Sequence, residues 1–136
     1  KKGITSYRSE SFISEKYDVL IHKMCADSGK ISCSITMRRE QDACTFAADD
    51  NTLFLDGKIM CKKDEKYGDE FEGMSFGAKI HIESDGIRNK NGSSVTVTDA
   101  TYIVLYGAFA TNYNVKTFDI DETIDYRLIL DKQIDT

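Results

Sequence analysis

The chain has 136 residues, of which 40% are hydrophobic and 30% charged, and it carries a formal net charge of -5. This composition is typical of one soluble globular domain, and the acidic balance argues against a nucleic-acid partner, whose phosphates need a basic patch. No apolar run reaches the roughly 18 residues that a transmembrane helix needs, so no membrane partner is expected.

The four cysteines, Cys25, Cys33, Cys44 and Cys61, are widely spaced and include no C-x-x-C pair. Zinc sites need closely paired ligands, and the chain has only two histidines, so neither a metal nor another cofactor is expected. Cys25 and Cys33 could form a disulfide across a hairpin. The simpler interpretation is four free thiols that serve as small hydrophobic residues.

The first third of the chain predicts three strands. Residues 4–14 predict a polar strand at the edge of a sheet, and residues 17–26 predict a more apolar strand. Residues 31–38 alternate strictly between apolar and polar side chains, which is typical of a half-buried antiparallel strand. The turn residues at 27–29 therefore predict a hairpin of 17–26 with 31–38.

Further strands are predicted at residues 43–47, 52–61 and 74–83, with a short one between the turn signals at 85–86 and 91–92. The strand at 74–83 alternates like the one at 31–38, so every second side chain should face away from the core. The outward positions are Ser75, Gly77, Lys79, His81 and Glu83.

The most apolar stretch spans residues 93–113. Val95 and Val97 alternate with hydroxyl-bearing residues, residues 99–100 give a turn signal, and residues 101–110 form an almost unbroken apolar run. Such a run is typical of a strand covered on both faces. The stretch therefore predicts a hairpin whose second strand lies in the middle of a sheet.

Only the C-terminal end changes period. Ile120, Ile124 and Leu128 recur every four residues and predict a helix from Asp119, with Thr117 or Asp119 as its N-cap. The sequence thus predicts an all-β antiparallel sandwich, supersandwich-like, of about seven to nine strands at 1–116, followed by a helix at 117–136. The lack of a lead-in before the first strand and of a stop signal after the helix indicates a fragment of a longer protein, incomplete at its N-terminus.

Five segments together carry a family resemblance because of their order and approximate spacing. They are G-I-T-S-Y-R-S-E-S-F-I-S at 3–14, D-V-L-I-H-K-M-C-A-D-S-G-K-I-S-C-S-I-T-M at 18–37, L-F-L-D-G at 53–57, F-G-A-K-I-H-I at 76–82 and V-T-D-A-T-Y-I-V-L-Y-G-A-F-A-T-N-Y at 97–113. This series resembles the N-terminal β-sandwich domain of glycoside hydrolase family 95, the α-L-fucosidases and some α-L-galactosidases. Ser9-Glu10 departs from the Arg-Glu pair of that family, and the family's glycine-rich opening segment with a tryptophan is missing.

The resemblance implies a non-catalytic domain of an inverting glycosidase that removes terminal α-linked L-fucose or L-galactose from glycans. The acid and base would lie in an (α/α)6 catalytic domain of the same parent chain, so no catalytic residue is expected in these 136 residues. The resemblance also implies a periplasmic or extracellular parent. A stand-alone carbohydrate-binding module and a β-sandwich interaction domain remain alternatives.

Three local features are candidates for a site. The first is an acidic loop with Asp64, Glu65, Asp69 and Glu70, and with Asp49 and Asp50 near it. Its carboxylates lack the spacing of a calcium loop, and a solvated turn is the simpler interpretation. The second is His81 beside Glu83, a candidate acid/base or sugar-contact pair that an ordinary strand surface also explains. The third is a set of tyrosines that could form a stacking platform for sugars, although scattered tyrosines more simply belong to the core and its rim. They are Tyr7, Tyr17, Tyr67, Tyr102, Tyr106 and Tyr113, of which Tyr67 and Tyr113 are the candidate sugar contacts.

Overall fold

The computed structural model describes residues 6–61, 68 and 71–134. Within these ranges it contains strands and one helix, in the order β1 (Ser6–Ser14), β2 (Val19–Ser28), β3 (Ile31–Thr36), β4 (Ala43–Asp49), β5 (Thr52–Cys61), β6 (Phe71–Ser84), β7 (Ile87–Asn91), β8 (Ser94–Ala100), β9 (Tyr102–Thr111), β10 (Tyr113–Asn114), β11 (Asp119–Ile120) and α1 (Tyr126–Ile134).

Two antiparallel sheets of unequal width form the body of the molecule. The larger sheet has the strand order β1-β2-β9-β6-β5-β4, and the smaller sheet has the order β3-β8-β7. The short strands β10 and β11 pair only with each other. The predicted all-β antiparallel sandwich with one C-terminal helix is confirmed.

The core lies between the inner faces of the two sheets. Leu53, Ile82 and Ile103 of the six-stranded sheet pack in one cluster with Val95 and Val97 of the three-stranded sheet, and all five side chains are almost fully buried. They sit at alternate strand positions, because a pleated strand turns every second side chain to the same face. The alternation predicted for 31–38 and 74–83 is therefore confirmed.

The predicted hairpin at 93–113 is wrong, because its two strands lie in different sheets. β8 pairs with β3 and β7, whereas β9 pairs with β2 and β6 in the larger sheet. The chain crosses from one sheet to the other at Thr101, between β8 and β9, and Asp99 two residues earlier has a φ of 56°. The central position predicted for the second strand is confirmed, since β9 has a partner on each side.

The predicted hairpin of 17–26 with 31–38 is wrong for the same reason. β2 pairs with β1 and β9, while β3 pairs with β8 in the opposite sheet. No disulfide joins Cys25 to Cys33, which are both half-buried free thiols, and Cys44 is an exposed free thiol. The prediction for Cys61 lies outside the side chains that the structure describes.

The predicted start of the helix at Asp119 is also wrong. Asp119 and Ile120 form β11, which pairs with β10, and α1 begins at Tyr126. Asp125 is the N-cap, because its Oδ1 accepts hydrogen bonds from the backbone N–H groups of Arg127 and Leu128. The division of the chain at residue 116 stays a prediction.

Helix α1 lies on the outer face of the six-stranded sheet, across β6 and β9. Leu130 is its fully buried anchor. Two ion pairs hold its ends to the sheet, one between Arg127 Nη2 and Asp56 Oδ2 at 2.8 Å and one between Lys79 Nζ and Asp131 Oδ1 at 2.9 Å. No helix in the described ranges is long and apolar enough to cross a membrane.

Candidate functional site

The strongest candidate site is a cluster on the outer face of the six-stranded sheet, formed by His81 and Glu83 of β6 and Tyr106 of β9. Ile82, between the first two, is fully buried in the core, so the strand pleat turns both neighbours outward. In the antiparallel ladder His81 pairs directly with Tyr106, which places Tyr106 diagonal to Glu83. We call these three residues the outer cluster.

A direct hydrogen bond connects two members of the outer cluster. The Tyr106 hydroxyl donates to Glu83 Oε2 at 3.0 Å. Partial burial raises the pKa of the Tyr106 phenol, and the bond to the Glu83 carboxylate raises this pKa further. The phenol therefore stays protonated at neutral pH and keeps donating to the carboxylate.

The His81 ring lies beside the same tyrosine. The ring centroids of His81 and Tyr106 are 6.4 Å apart with an angle of 32° between the ring planes. Glu83 is exposed to solvent and His81 is half-buried. An imidazole, a carboxylate and a phenol on one open surface can exchange hydrogen bonds with the hydroxyl groups of a sugar.

The outer cluster lacks the arrangement that glycoside hydrolysis needs. Most glycosidases use two carboxyl groups on either side of the scissile bond, whereas the partner of Glu83 is a phenol. Two further carboxylates of this surface, Asp56 and Asp131, are ion-paired with Arg127 and Lys79. Within the described residues, this geometry favours binding over catalysis.

The other candidates of the sequence lie away from the outer cluster. Tyr113 is exposed, but it follows the end of β9, where Thr111 pairs with Phe76. Phe76 is five positions along β6 from His81, which at about 3.3 Å per residue is a distance of roughly 16 Å. Tyr67 lies outside the residues that the structure describes.

Some of the acidic candidates lie outside the described residues, and the others have defined hydrogen-bond partners. Asp64, Glu65, Asp69 and Glu70 lie outside the described residues. Asp49 Oδ1 accepts a hydrogen bond from the Asn51 N–H at 2.7 Å, and Asp50 Oδ1 accepts one from the Lys90 N–H at 2.7 Å. The Asp49 carboxylate thus stabilises the turn between β4 and β5, and the Asp50 carboxylate joins this turn to β7. In the part of the chain that is described, no three His, Cys, Asp or Glu side chains are placed to bind a metal ion together.

Sequence reasoning named Tyr106 only as one of several scattered tyrosines, without its place beside His81 and Glu83. It missed the contacts of the helix. Tyr106 lies in the continuous apolar run, where alternation gives no sign of which side chains face outward. The ladder register that pairs it with His81 is the signal that identifies it. Asp56 and Arg127 are 71 residues apart in the sequence, and nothing local to either residue indicates their ion pair.

Comparison with protein-family models matches residues 1–116 to the family described as glycosyl hydrolase family 65, N-terminal domain. The chain belongs to that family. The expected class, an N-terminal domain of a glycoside hydrolase, is therefore confirmed, whereas the matched family carries the number 65 and not 95. Membership in this family implies a catalytic domain in the same parent chain. No curated protein matches this glycosyl hydrolase family 65 N-terminal domain.

Proposed function

We propose that this domain is the non-catalytic N-terminal β-sandwich of an enzyme that removes terminal α-linked L-fucose or L-galactose from glycans with inversion. The observation that carries the proposal is the ordered series of segments from 3–14 to 97–113, which resembles the α-L-fucosidases. The phenol partner of Glu83 supports the non-catalytic part, because an inverting site needs an acid and a base about 6.5–9.5 Å apart.

The proposed partner is an (α/α)6 catalytic domain of the same parent chain, which supplies both carboxyl groups. The resemblance also supports export of the parent to the periplasm or the extracellular space. Cell fractionation followed by immunoblotting tests the location, and recovery of the mature parent in the cytoplasmic fraction alone would contradict export.

The decisive experiment is to read the gene beyond residue 136 and to assay its complete product on aryl glycosides. We expect turnover of the α-L-fucoside or the α-L-galactoside, with an inverted anomer as the first product in proton NMR, and no turnover of an α-D-glucoside control. The 136-residue chain alone should hydrolyse none of them. A gene without a catalytic domain, or a parent that cleaves only the control, would refute the proposal.

Glycan binding by the outer cluster is the second candidate function, favoured by the hydrogen bond between Tyr106 and Glu83. Calorimetric titration of the chain with fucosylated oligosaccharides tests it. If the cluster binds sugar, His81→Ala and Glu83→Gln should weaken binding at least tenfold, while Tyr113→Ala on the distant hairpin should not. A flat titration with the unmodified chain would rule out glycan binding and leave only the first proposal, a non-catalytic N-terminal domain.

A further inference from the structure

The inner face of the six-stranded sheet is wider than the three-stranded sheet that covers it. Three apolar side chains on this face are open to solvent, with exposed fractions of 72% for Ile13, 37% for Leu20 and 59% for Phe109. Each lies on a different strand, β1, β2 and β9, and these strands are neighbours in the sheet. We call the three residues the open patch.

The open patch is continuous across its strands. Ile13 pairs directly with Leu20, and Leu20 pairs with Gly107. The Phe109 ring lies beside Gly107, because a Cβ built on this glycine would be in ordinary contact, at 3.7 Å, with both the Phe109 ring and the Leu20 Cβ. Apolar surface that is contiguous and solvent-exposed marks a site of interaction more often than scattered apolar residues do.

A cavity of about 690 Å³ adjoins the open patch at Phe109, and two arginines lie at its rim. The Arg39 guanidinium lies 4.7 Å from the centre of the Phe76 ring, which fixes its position beside an apolar wall. Arg38 is 80% exposed, and its only ion pair among the described residues, with Glu40, is long at 3.8 Å. The surface thus combines apolar side chains with positive charge.

Helix α1 ends beside this surface. Gln133 Nε2, one residue before the end of the helix, donates to Asp18 Oδ2 at 3.1 Å. Asp18 lies in the turn that joins β1 to β2, two residues before Leu20, and it also lines the cavity. A domain that follows α1 in the parent chain therefore starts at the edge of the sheet that carries this turn, and the short tether raises its effective concentration at the nearby open patch.

We propose that the open patch and the neighbouring cavity dock the catalytic domain of the parent chain. The docking surface of that domain should present apolar side chains to Leu20 and Phe109 and a carboxylate to Arg38. This inference rests on the catalytic partner of the proposed function, and it does not depend on which sugar the parent cleaves.

The test uses the complete parent protein and compares Leu20→Ser/Phe109→Ser with Ile87→Ser. Ile87 is equally apolar and 63% exposed, but it lies on β7 of the other sheet. We expect the unmodified parent and the Ile87 variant to unfold in one calorimetric transition. The double variant should unfold in two, and proteolysis after α1 should become at least tenfold faster. Arg38→Glu should act in the same direction with a smaller effect.

Every outcome decides between occupants of the surface. Separate transitions in the unmodified parent, or a double variant that behaves like the Ile87 control, would overturn the proposal. Sedimentation of the 136-residue chain tests a second copy as the occupant, since a dimer that the double variant makes monomeric would overturn docking of the catalytic domain. Near-ultraviolet circular dichroism of each variant verifies its fold. If docking is confirmed but the fucoside assay fails, only the proposed sugar is wrong.

Discussion

Among the glycines that the structure describes with their neighbours, Gly57 has the least room for a side chain. A Cβ at this position would lie 2.3 Å from the Phe76 ring and 2.5 Å from the backbone oxygen of Asp42, so neither neighbour leaves space. We expect Gly57→Ala to lower the free energy of unfolding by about 1–3 kcal/mol, measured by urea denaturation.

Gly107→Ala is the matched control for Gly57→Ala. Both glycines lie in strands of the six-stranded sheet, but the nearest atoms to a Cβ at Gly107 are at 3.7 Å, an ordinary contact distance. Alanine is also favoured over glycine inside a strand by roughly 0.5–1 kcal/mol. The control should therefore be neutral or slightly stabilising, and equal losses in the two variants would contradict the steric explanation.

Asp85 stabilises the connection between the two sheets by hydrogen bonds. Its carboxylate accepts hydrogen bonds from the Thr101 hydroxyl and from the Thr101 N–H at 2.8 Å, where the chain crosses from β8 to β9. The Thr101 side chain is the largest cause of a pKa for Asp85 below its ordinary value of 3.8, followed by the Thr101 backbone. A lowered pKa means that the ionised carboxylate is bound better in the folded state than in the unfolded state.

The lowered pKa gives a pH dependence with a definite sign. The contribution of Asp85 to stability is fully present above pH 3.8 and is lost as the pH falls through the lower, folded-state pKa. We expect Asp85→Asn to have a lower free energy of unfolding than the unmodified chain at pH 6. The difference between the two proteins should shrink towards pH 2, as measured by urea denaturation at each pH. Glu122→Gln, at an exposed carboxylate before α1, controls for net charge, and parallel curves for the two variants would contradict this role of Asp85.

At the scale of the element, helix α1 depends on one buried side chain. Leu130 is fully buried against the sheet, whereas Leu128, two positions earlier, is 51% exposed. We expect Leu130→Ala to cost about 3 kcal/mol, since truncating a buried leucine removes transfer energy and leaves a cavity. Hydrogen exchange of the α1 amides and urea denaturation measure this loss.

Leu128→Ala removes the same atoms from the exposed side of the same helix. It should change stability by less than about 0.5 kcal/mol, as surface substitutions usually do. A larger loss in Leu128→Ala than in Leu130→Ala would mean that the helix packs with another face. Such a result would restore the face that the spacing of Ile120, Ile124 and Leu128 predicts.

The elements show where sequence reasoning succeeds and where it fails. Strict alternation identified the strands at 31–38 and 74–83, and it placed His81 and Glu83 on one outer surface. Alternation reports which side chains share a face, but it carries no information on which strand lies alongside. Both hairpin predictions failed for this reason, since strands adjacent in sequence pair in opposite sheets, and Tyr106 joined the outer cluster only through the ladder register.

The helix failed for a different physical reason. The spacing of Ile120, Ile124 and Leu128 fits a helical period, yet Asp119 and Ile120 gain backbone hydrogen bonds by pairing with β10. The buried Asn112 reinforces this local pairing, because its backbone carbonyl oxygen accepts a hydrogen bond from the Asp121 backbone N–H at 2.8 Å. Tertiary contacts of this kind override a weak local preference.

At the scale of the whole molecule, the two sheets share one core and should unfold together. Val97 of the three-stranded sheet packs in the same cluster as Ile82 and Ile103 of the six-stranded sheet. Val97→Ala removes two buried methyl groups, so we expect a loss of about 2 kcal/mol, from roughly 0.8 kcal/mol per group plus a cavity. Because the core is shared, native-state hydrogen exchange should accelerate by about 30-fold for the slowest amides of both β8 and β9. Val115→Ala, at a 71% exposed valine, should change neither the free energy of unfolding nor the exchange rates. Acceleration confined to β8 in Val97→Ala would show that the sheets open independently.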